Sequence, residues 1–229
     1  MKINSVFDVI GPIMVGPSSS HTAGAVRIGL VVHQILKAIP KEVTILLHGS
    51  FAETYRGHGT DRAIVAGLLG FNTDDERITD ALNIAKQVGM KFIFRLVDLG
   101  DEYHVNTAKI IVKGAETPRI EVVGSSIGGG NIVIVEINGF KTELTGDYNT
   151  IITLHQDTPG VIAKVTDVLS KYGVNVAFMR VSRKAKGREA FMAIEVDHEV
   201  PSEVLEEITS FKEIKLVRPM KAISPAGGT

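Results

Sequence analysis

Asp157-Thr158-Pro159-Gly160-Val161-Ile162 is the stretch on which the fold turns. Before it, Thr150 to His155 reads as a strand, and after it Val161 to Tyr172 carries apolar residues at helical spacing, with Asp, Pro and Gly making the turn between them. Further on, Val174 to Ser182 reads as a strand, Lys184-Ala185-Lys186-Gly187 as a hairpin turn, and Glu189 to Val196 as a strand. Ser202 to Thr209 is a helix and Ile214 to Pro219 a last strand. The order βαββαβ is that of a ferredoxin-like unit. The pattern restarts around Gly146-Asp147-Tyr148-Asn149, which divides the chain into an N-terminal domain, residues 1–147, the βαββαβ module, residues 148–221, and a flexible tail, residues 222–229.

Upstream, Ser20 to Ala38 reads as a helix whose hydroxyl-bearing start caps its free N–H groups and which Pro40 ends. Val43 to Leu47 is a strand that delivers His48 at its end. Thr60 to Leu69 is a second helix, capped by Thr60 or Gly59 and stopped by Gly70, and Asp74 to Val88 a third, stopped by Gly89. Strands follow at Lys91 to Val97, Asn106 to Lys113, Arg119 to Val123 and Asn131 to Ile137. This half is α/β or α+β with much antiparallel sheet, and the whole chain is α+β. Gly128-Gly129-Gly130 invites a phosphate-loop reading, but no Lys-Ser/Thr follows and no helix opens there, so a hairpin is the better account.

The chain has 229 residues, 44% of them hydrophobic, enough for one large or two small packed domains. With 25 basic and 26 acidic residues the formal net charge is −1, so no overall field favours nucleic acid or an anionic membrane. No unbroken apolar run is long enough to span a bilayer, and Met1-Lys2-Ile3-Asn4-Ser5 does not open a secretory signal, so the expected location is cytoplasmic. The cysteine count is zero, which removes disulfides, thiolate metal sites and cysteine nucleophiles from this chain.

Chemistry concentrates in three short clusters of the N-terminal half: Gly16-Pro17-Ser18-Ser19-Ser20-His21-Thr22, His48-Gly49-Ser50 and Gly57-His58-Gly59-Thr60-Asp61. Glycines beside imidazoles let a ligand approach the backbone. The hydroxyls of Ser18, Ser19, Ser20 and Thr22, at a helix start, suit a carboxylate. His21, His48 and His58 are candidates for a base, since imidazole exchanges protons near neutrality. Asp61 can orient an imidazole or receive an ammonium. Each has a plainer reading: a seryl run is an N-cap, a strand-end histidine a satisfied turn residue, and an aspartate in a first helical turn a partner of the helix dipole. His33, on the apolar helix, reads as packing, and His104, His155 and His198 as structural.

These three clusters together resemble the iron–sulfur L-serine dehydratase family, in the β subunit of its two-chain form, across the whole chain. The module from Asn149 to Lys221 resembles the ACT domain, through its Asp157-Thr158-Pro159-Gly160-Val161-Ile162 turn and Gly173-Val174-Asn175-Val176. The first resemblance implies β-elimination of L-serine to pyruvate and ammonia without pyridoxal phosphate, on a [4Fe–4S] cluster held by cysteines of an α subunit, with no metal ligand in this chain. It implies His21, His48, His58 and Asp61 as catalytic residues and Ser18, Ser19, Ser20, Thr22 and Ser50 as substrate-binding ones. The second implies an amino-acid effector site at Asp157, Thr158, Gly160, Val161 and Asn175, and homodimer contacts through the module. Two other readings stay open: a noncatalytic amino-acid-sensing regulatory subunit, and a stand-alone anion-binding protein using the seryl helix start.

Overall fold

The computed structural model describes residues 13–113 and 119–223. They form two compact units, one running to Asn138 and including Ile223, the other Gly139–Ala222. The expected tail beyond Ile223 lies outside the described residues. The second unit starts ahead of the expected boundary at residue 148, because Phe140–Leu144 is a strand that packs on this unit. Its Phe140 ring stacks on Phe191 at 5.9 Å.

In the first unit a π-helical turn, Ser19–Ala23, leads into α1, Gly24–Leu36. The expected single helix is thus two pieces, and it stops at Lys37, which takes a left-handed conformation, before Pro40 is reached. Then come β1 (Glu42–His48), α2 (Ser50–Thr54) and α3 (Thr60–Leu68). The expected third helix is a 3₁₀ turn, Glu76–Asp80, followed by α4, Ala81–Gln87. Asp75 caps the 3₁₀ turn by accepting the Arg77 N–H. Strands β2 (Lys91–Leu96), β3 (Thr107–Lys113), β4 (Ile120–Gly128) and β5 (Asn131–Ile137) complete the unit.

These strands are ordered β2-β1-β3-β4-β5, with β1 parallel to β2 and the other neighbours antiparallel. The alternation of β1 fixes its faces: Val43, Ile45 and Leu47 are buried at every second position. The triple glycine is the β4–β5 hairpin, Gly128 facing Asn131. Helix α1 lies on β4 and β5, and α3 packs on α1. The two helices touch through glycine, since a Cβ on Gly29 would lie 2.4 Å from the Ile64 carbonyl oxygen and one on Gly67 2.1 Å from that of Val26. Arg27, 1% exposed, donates from Nη1 to the Gly130 carbonyl at 3.0 Å and from Nη2 to that of Ile223 at 2.9 Å, tying α1 to the hairpin and to the end of the described chain.

The second unit opens with β6 (Phe140–Leu144), followed by β7 (Asn149–Gln156), α5 (Val161–Lys171), β8 (Val176–Arg183), β9 (Glu189–Val196), α6 (Ser202–Thr209) and β10 (Ile214–Met220). Its four-stranded antiparallel sheet has the order β10-β7-β9-β8, the ferredoxin-like arrangement expected from the sequence. Ile151, Met192, Ile194 and Val196 of the sheet form one core with Val165, Val168 and Leu169 of α5 and Val204 and Ile208 of α6. Burying such side chains contributes roughly 1.5–3 kcal/mol each.

Candidate active site

The seryl turn is built from its own hydroxyls. Ser18, in extended conformation, caps the π-helical turn by accepting the His21 N–H at its Oγ, 3.2 Å, while its carbonyl accepts the Thr22 N–H at 2.8 Å. The N–H groups of Ser19 and Ser20 come before any intrahelical bond. Thr22, 2% exposed, donates from Oγ1 to the His58 carbonyl at 3.3 Å. π-Helical turns are rare and are found frequently at functional sites.

His21 is the centre of the arrangement, and it is 8% exposed. Its Nδ1 lies 3.1 Å from Ser20 Oγ and 3.5 Å from Ser18 Oγ, and its Nε2 3.1 Å from Ser50 Oγ. The His58 ring meets it edge to face at 4.7 Å and 87°, and Phe51 does so at 5.3 Å and 69°. Burial holds the His21 imidazole below the ordinary histidine pKa; the neighbouring His58 adds to this, and a hydrogen bond to the backbone of Ser50 opposes it. His21 is therefore a neutral ring near neutrality, with one nitrogen donating and the other accepting.

Ser50 arrives at this ring because β1 ends in a tight turn. Gly49 has φ 58°, and a Cβ there would lie 2.5 Å from the Val105 carbonyl oxygen, so glycine alone lets the chain bend and start α2. His58 is exposed and sits before Gly59, whose left-handed φ of 73° opens α3.

Not every predicted residue joins. His48 Nδ1 accepts the Leu99 N–H at 3.1 Å and lies 3.5 Å from Asp98 Oδ1. The backbone N–H is an obligatory donor, so Nδ1 of His48 is held as an acceptor and Nε2 is the ring nitrogen left to carry an N–H. Asp61 accepts the Arg62 N–H at 2.8 Å, the bond of a helix start, and is engaged there with no imidazole. Ser19 takes no part in the His21 network. His33 bonds the Leu68 carbonyl through Nδ1 at 3.0 Å, a packing role as expected.

Phe51 was not among the predicted residues; its only signal is that it is the first apolar residue after Ser50. Ser126 is a second such residue. It is fully buried, its Oγ has no hydrogen-bond partner, and it lies against Gly24, where a Cβ would come within 2.1 Å.

In the second unit, Asp157 accepts from Arg183 Nη1 at 2.8 Å and from the Gly187 N–H at 2.9 Å. The Gly187 bond, then Arg183, hold its carboxyl below the usual carboxylate range. Asn175 Nδ2 donates to Asp197 at 2.6 Å. The Thr158 N–H bonds the Gln156 carbonyl at 2.9 Å, Val161 is 3% exposed, and Gly160, φ 89°, starts α5 without a side-chain cap.

Comparison with known proteins identifies the family. The serine dehydratase beta chain family matches residues 5–136, and the ACT domain family residues 149–213. The chain belongs to the serine dehydratase beta-chain family. A probable L-serine dehydratase beta chain of Bacillus subtilis is 48% identical over 214 residues, 93% of this chain and 96% of that one. The L-serine dehydratase beta chain of Peptoniphilus asaccharolyticus is 44% identical over 193 residues, covering 84% and 87%. A D-3-phosphoglycerate dehydrogenase of Methanocaldococcus jannaschii is 30% identical over 200 residues, 83% of this chain but 36% of that enzyme. The similarity thus also extends to a longer enzyme of a different name. Among the described residues no helix is long and apolar enough to cross a membrane.

Proposed function

We propose that this chain is the β subunit of an iron–sulfur L-serine dehydratase, which converts L-serine to pyruvate and ammonia together with a cysteine-bearing α subunit in the cytoplasm. The observation that carries the reading is the meeting of His21 with Ser50, 29 residues away, and with His58. A merely capped helix would not need imidazoles and hydroxyls from three segments. The chain has no cysteine, and among the described residues no group of three His, Cys, Asp or Glu side chains is placed to hold a metal ion. These residues do not fit a [4Fe–4S] cluster, which in this reading belongs to the α subunit.

Within that division of labour the seryl turn binds the substrate carboxylate, through the N–H groups of Ser19 and Ser20 and the Ser19 hydroxyl, at the positive end of α1. His58, exposed beside a neutral His21, is the imidazole best placed to accept the α-proton, while His48 offers Nε2 alone. Asp61 is left for the substrate ammonium. Purification under anaerobic conditions with a cysteine-bearing partner, followed by a serine-to-pyruvate assay, tests the proposal. The complex is expected to release pyruvate, and the chain alone to be colourless and inactive. Pyruvate or bound iron in the isolated chain would overturn it. Turnover that survives loss of His21 and His58 would instead favour a noncatalytic regulatory subunit, and tight anion binding by the chain alone an anion-binding protein.

For the ACT domain we infer a homodimer contact along β8. This strand is a sheet edge on which Phe178 is 57% and Val181 42% exposed. An amino-acid effector at the uncapped start of α5 is the secondary role of the same module.

A further inference from the structure

Among the described residues His21 is the one imidazole whose two nitrogens both meet side-chain hydroxyls, Ser20 on Nδ1 and Ser50 on Nε2, each at 3.1 Å. Both hydroxyls can donate or accept, whereas a neutral imidazole must do one at each nitrogen. Two arrangements satisfy the ring and both hydroxyls, and the hydrogen bond between the imidazole and the Ser50 backbone weights them toward the one with a proton on the nitrogen that faces Ser50. In one, Ser50 donates to Nε2 and Nδ1–H donates to Ser20. In the other, Ser20 donates to Nδ1 and Nε2–H donates to Ser50.

Passing between them moves a proton across the ring without charging it. Low exposure leaves little room for water to replace either hydroxyl, and the edge-on contacts with His58 and Phe51 fix the ring plane. The mount of Ser50 is equally fixed. The Phe51 N–H bonds the Val105 carbonyl at 3.4 Å, the Glu53 N–H that of Gly49 at 3.1 Å, and Thr54 Oγ1 that of Ser50 at 2.8 Å.

We propose that Ser50 is a positioning residue rather than a substrate ligand, and that Ser20, His21 and Ser50 form a proton relay. A proton arriving at Ser20 Oγ displaces the Ser20 proton onto Nδ1. The Nε2 proton passes to Ser50 Oγ, and the proton Ser50 held leaves to water. One proton enters, one leaves, and His21 stays neutral. The catalytic use of this relay rests on the dehydratase reading above, but its geometry belongs to the chain alone.

The test uses the full chain labelled with ¹⁵N-histidine and, in parallel, the complex with its α subunit. Ser50→Ala is expected to change the His21 ring-nitrogen shifts and tautomer ratio, and Ser50→Thr to keep both near wild type. In the complex Ser50→Ala should lower kcat by about 10- to 100-fold with KM within about twofold, and Ser50→Thr should restore most of it. If Ser50→Ala does not fold, Ser20→Ala read at Nδ1 asks the same question from the other side of the ring. His21 signals that ignore both substitutions overturn the proposal, as does a KM rise at constant kcat, which would make Ser50 a substrate ligand. Changed signals with unchanged turnover also overturn the relay. A wild-type complex unable to deaminate serine sinks the dehydratase reading instead, while the nitrogen signals still decide the His21–Ser50 contact.

Discussion

Two polar turns open helices in this chain, and they use their hydrogen bonds differently. At Ser18–Thr22 the side chains bond one another and then reach residues far away in sequence, Ser50 and His58, around a buried imidazole. At Asp157–Gly160 the carboxylate ties down the β8–β9 hairpin through Arg183 and Gly187, and Asn175 is engaged by Asp197. The first turn converges on a ring that can move a proton. The second holds its own module in shape, and what it leaves open is backbone, at the start of α5. Similar-looking sequence signals therefore have unlike prospects: chemistry in one, fold and assembly in the other.

The sharpest way to break this contrast is to remove the ring. His21→Ala in the reconstituted complex is expected to lower kcat/KM for serine by about 10²–10⁴-fold, the range for loss of a positioned acid–base group. Activity within about twofold of wild type would reduce the first turn to a cap, on a par with the second. Ser19→Ala is milder: loss of one hydrogen bond to a charged group, about 1.5–3 kcal/mol, should raise KM by roughly 10- to 100-fold with kcat kept. An unchanged KM would remove Ser19 from the substrate site.

The contrast itself was only partly legible in the sequence. Strand β1 and helices such as α3 and α5 carry clean apolar periods and β9 an apolar run, and they lie where those patterns put them. The short helix α2 does not, because five residues between Gly49 and Tyr55 are too few for a helical period to emerge. Strand β6 has the alternation of a half-buried strand, Phe140, Thr142 and Leu144 inward, yet a boundary placed at residue 147 hides it. Histidines beside seryl or glycyl residues mark the candidate site, but which of them meet depends on packing: β1 and its Gly49 turn bring Ser50 to His21, while the loop after β2 takes His48.

The proposed role of the second turn's module in assembly can be sharpened through β8. Phe178→Glu places a charge on an exposed sheet edge and should weaken self-association about 10-fold, equivalent to about 1.4 kcal/mol, in sedimentation at several concentrations. A variant that self-associates as tightly as wild type moves the interface elsewhere and leaves the ACT module its fold alone.

The smallest expected effect separates the two turns by pH. The folded-state pKa of His21 lies below its ordinary 6.5, so as pH falls through that value the unfolded chain takes up the proton first and the folded state loses relative stability. Asp157 has its pKa depressed below 3.8, so its contribution is complete above that value and is lost only as pH falls further, through its folded-state pKa. Between these windows the first turn weakens while the second holds. Amide-exchange protection, corrected for the intrinsic pH dependence, should therefore drop by on the order of a few-fold around Ser18–Thr22 and Ser50 between about pH 6.5 and 5, with Gly187 unchanged. His21→Asn should abolish the drop, since it removes the buried imidazole whose protonation drives it. Were Gly187 to lose protection first, or the His21→Asn chain to behave like wild type, the buried imidazole would not be what makes the two turns different.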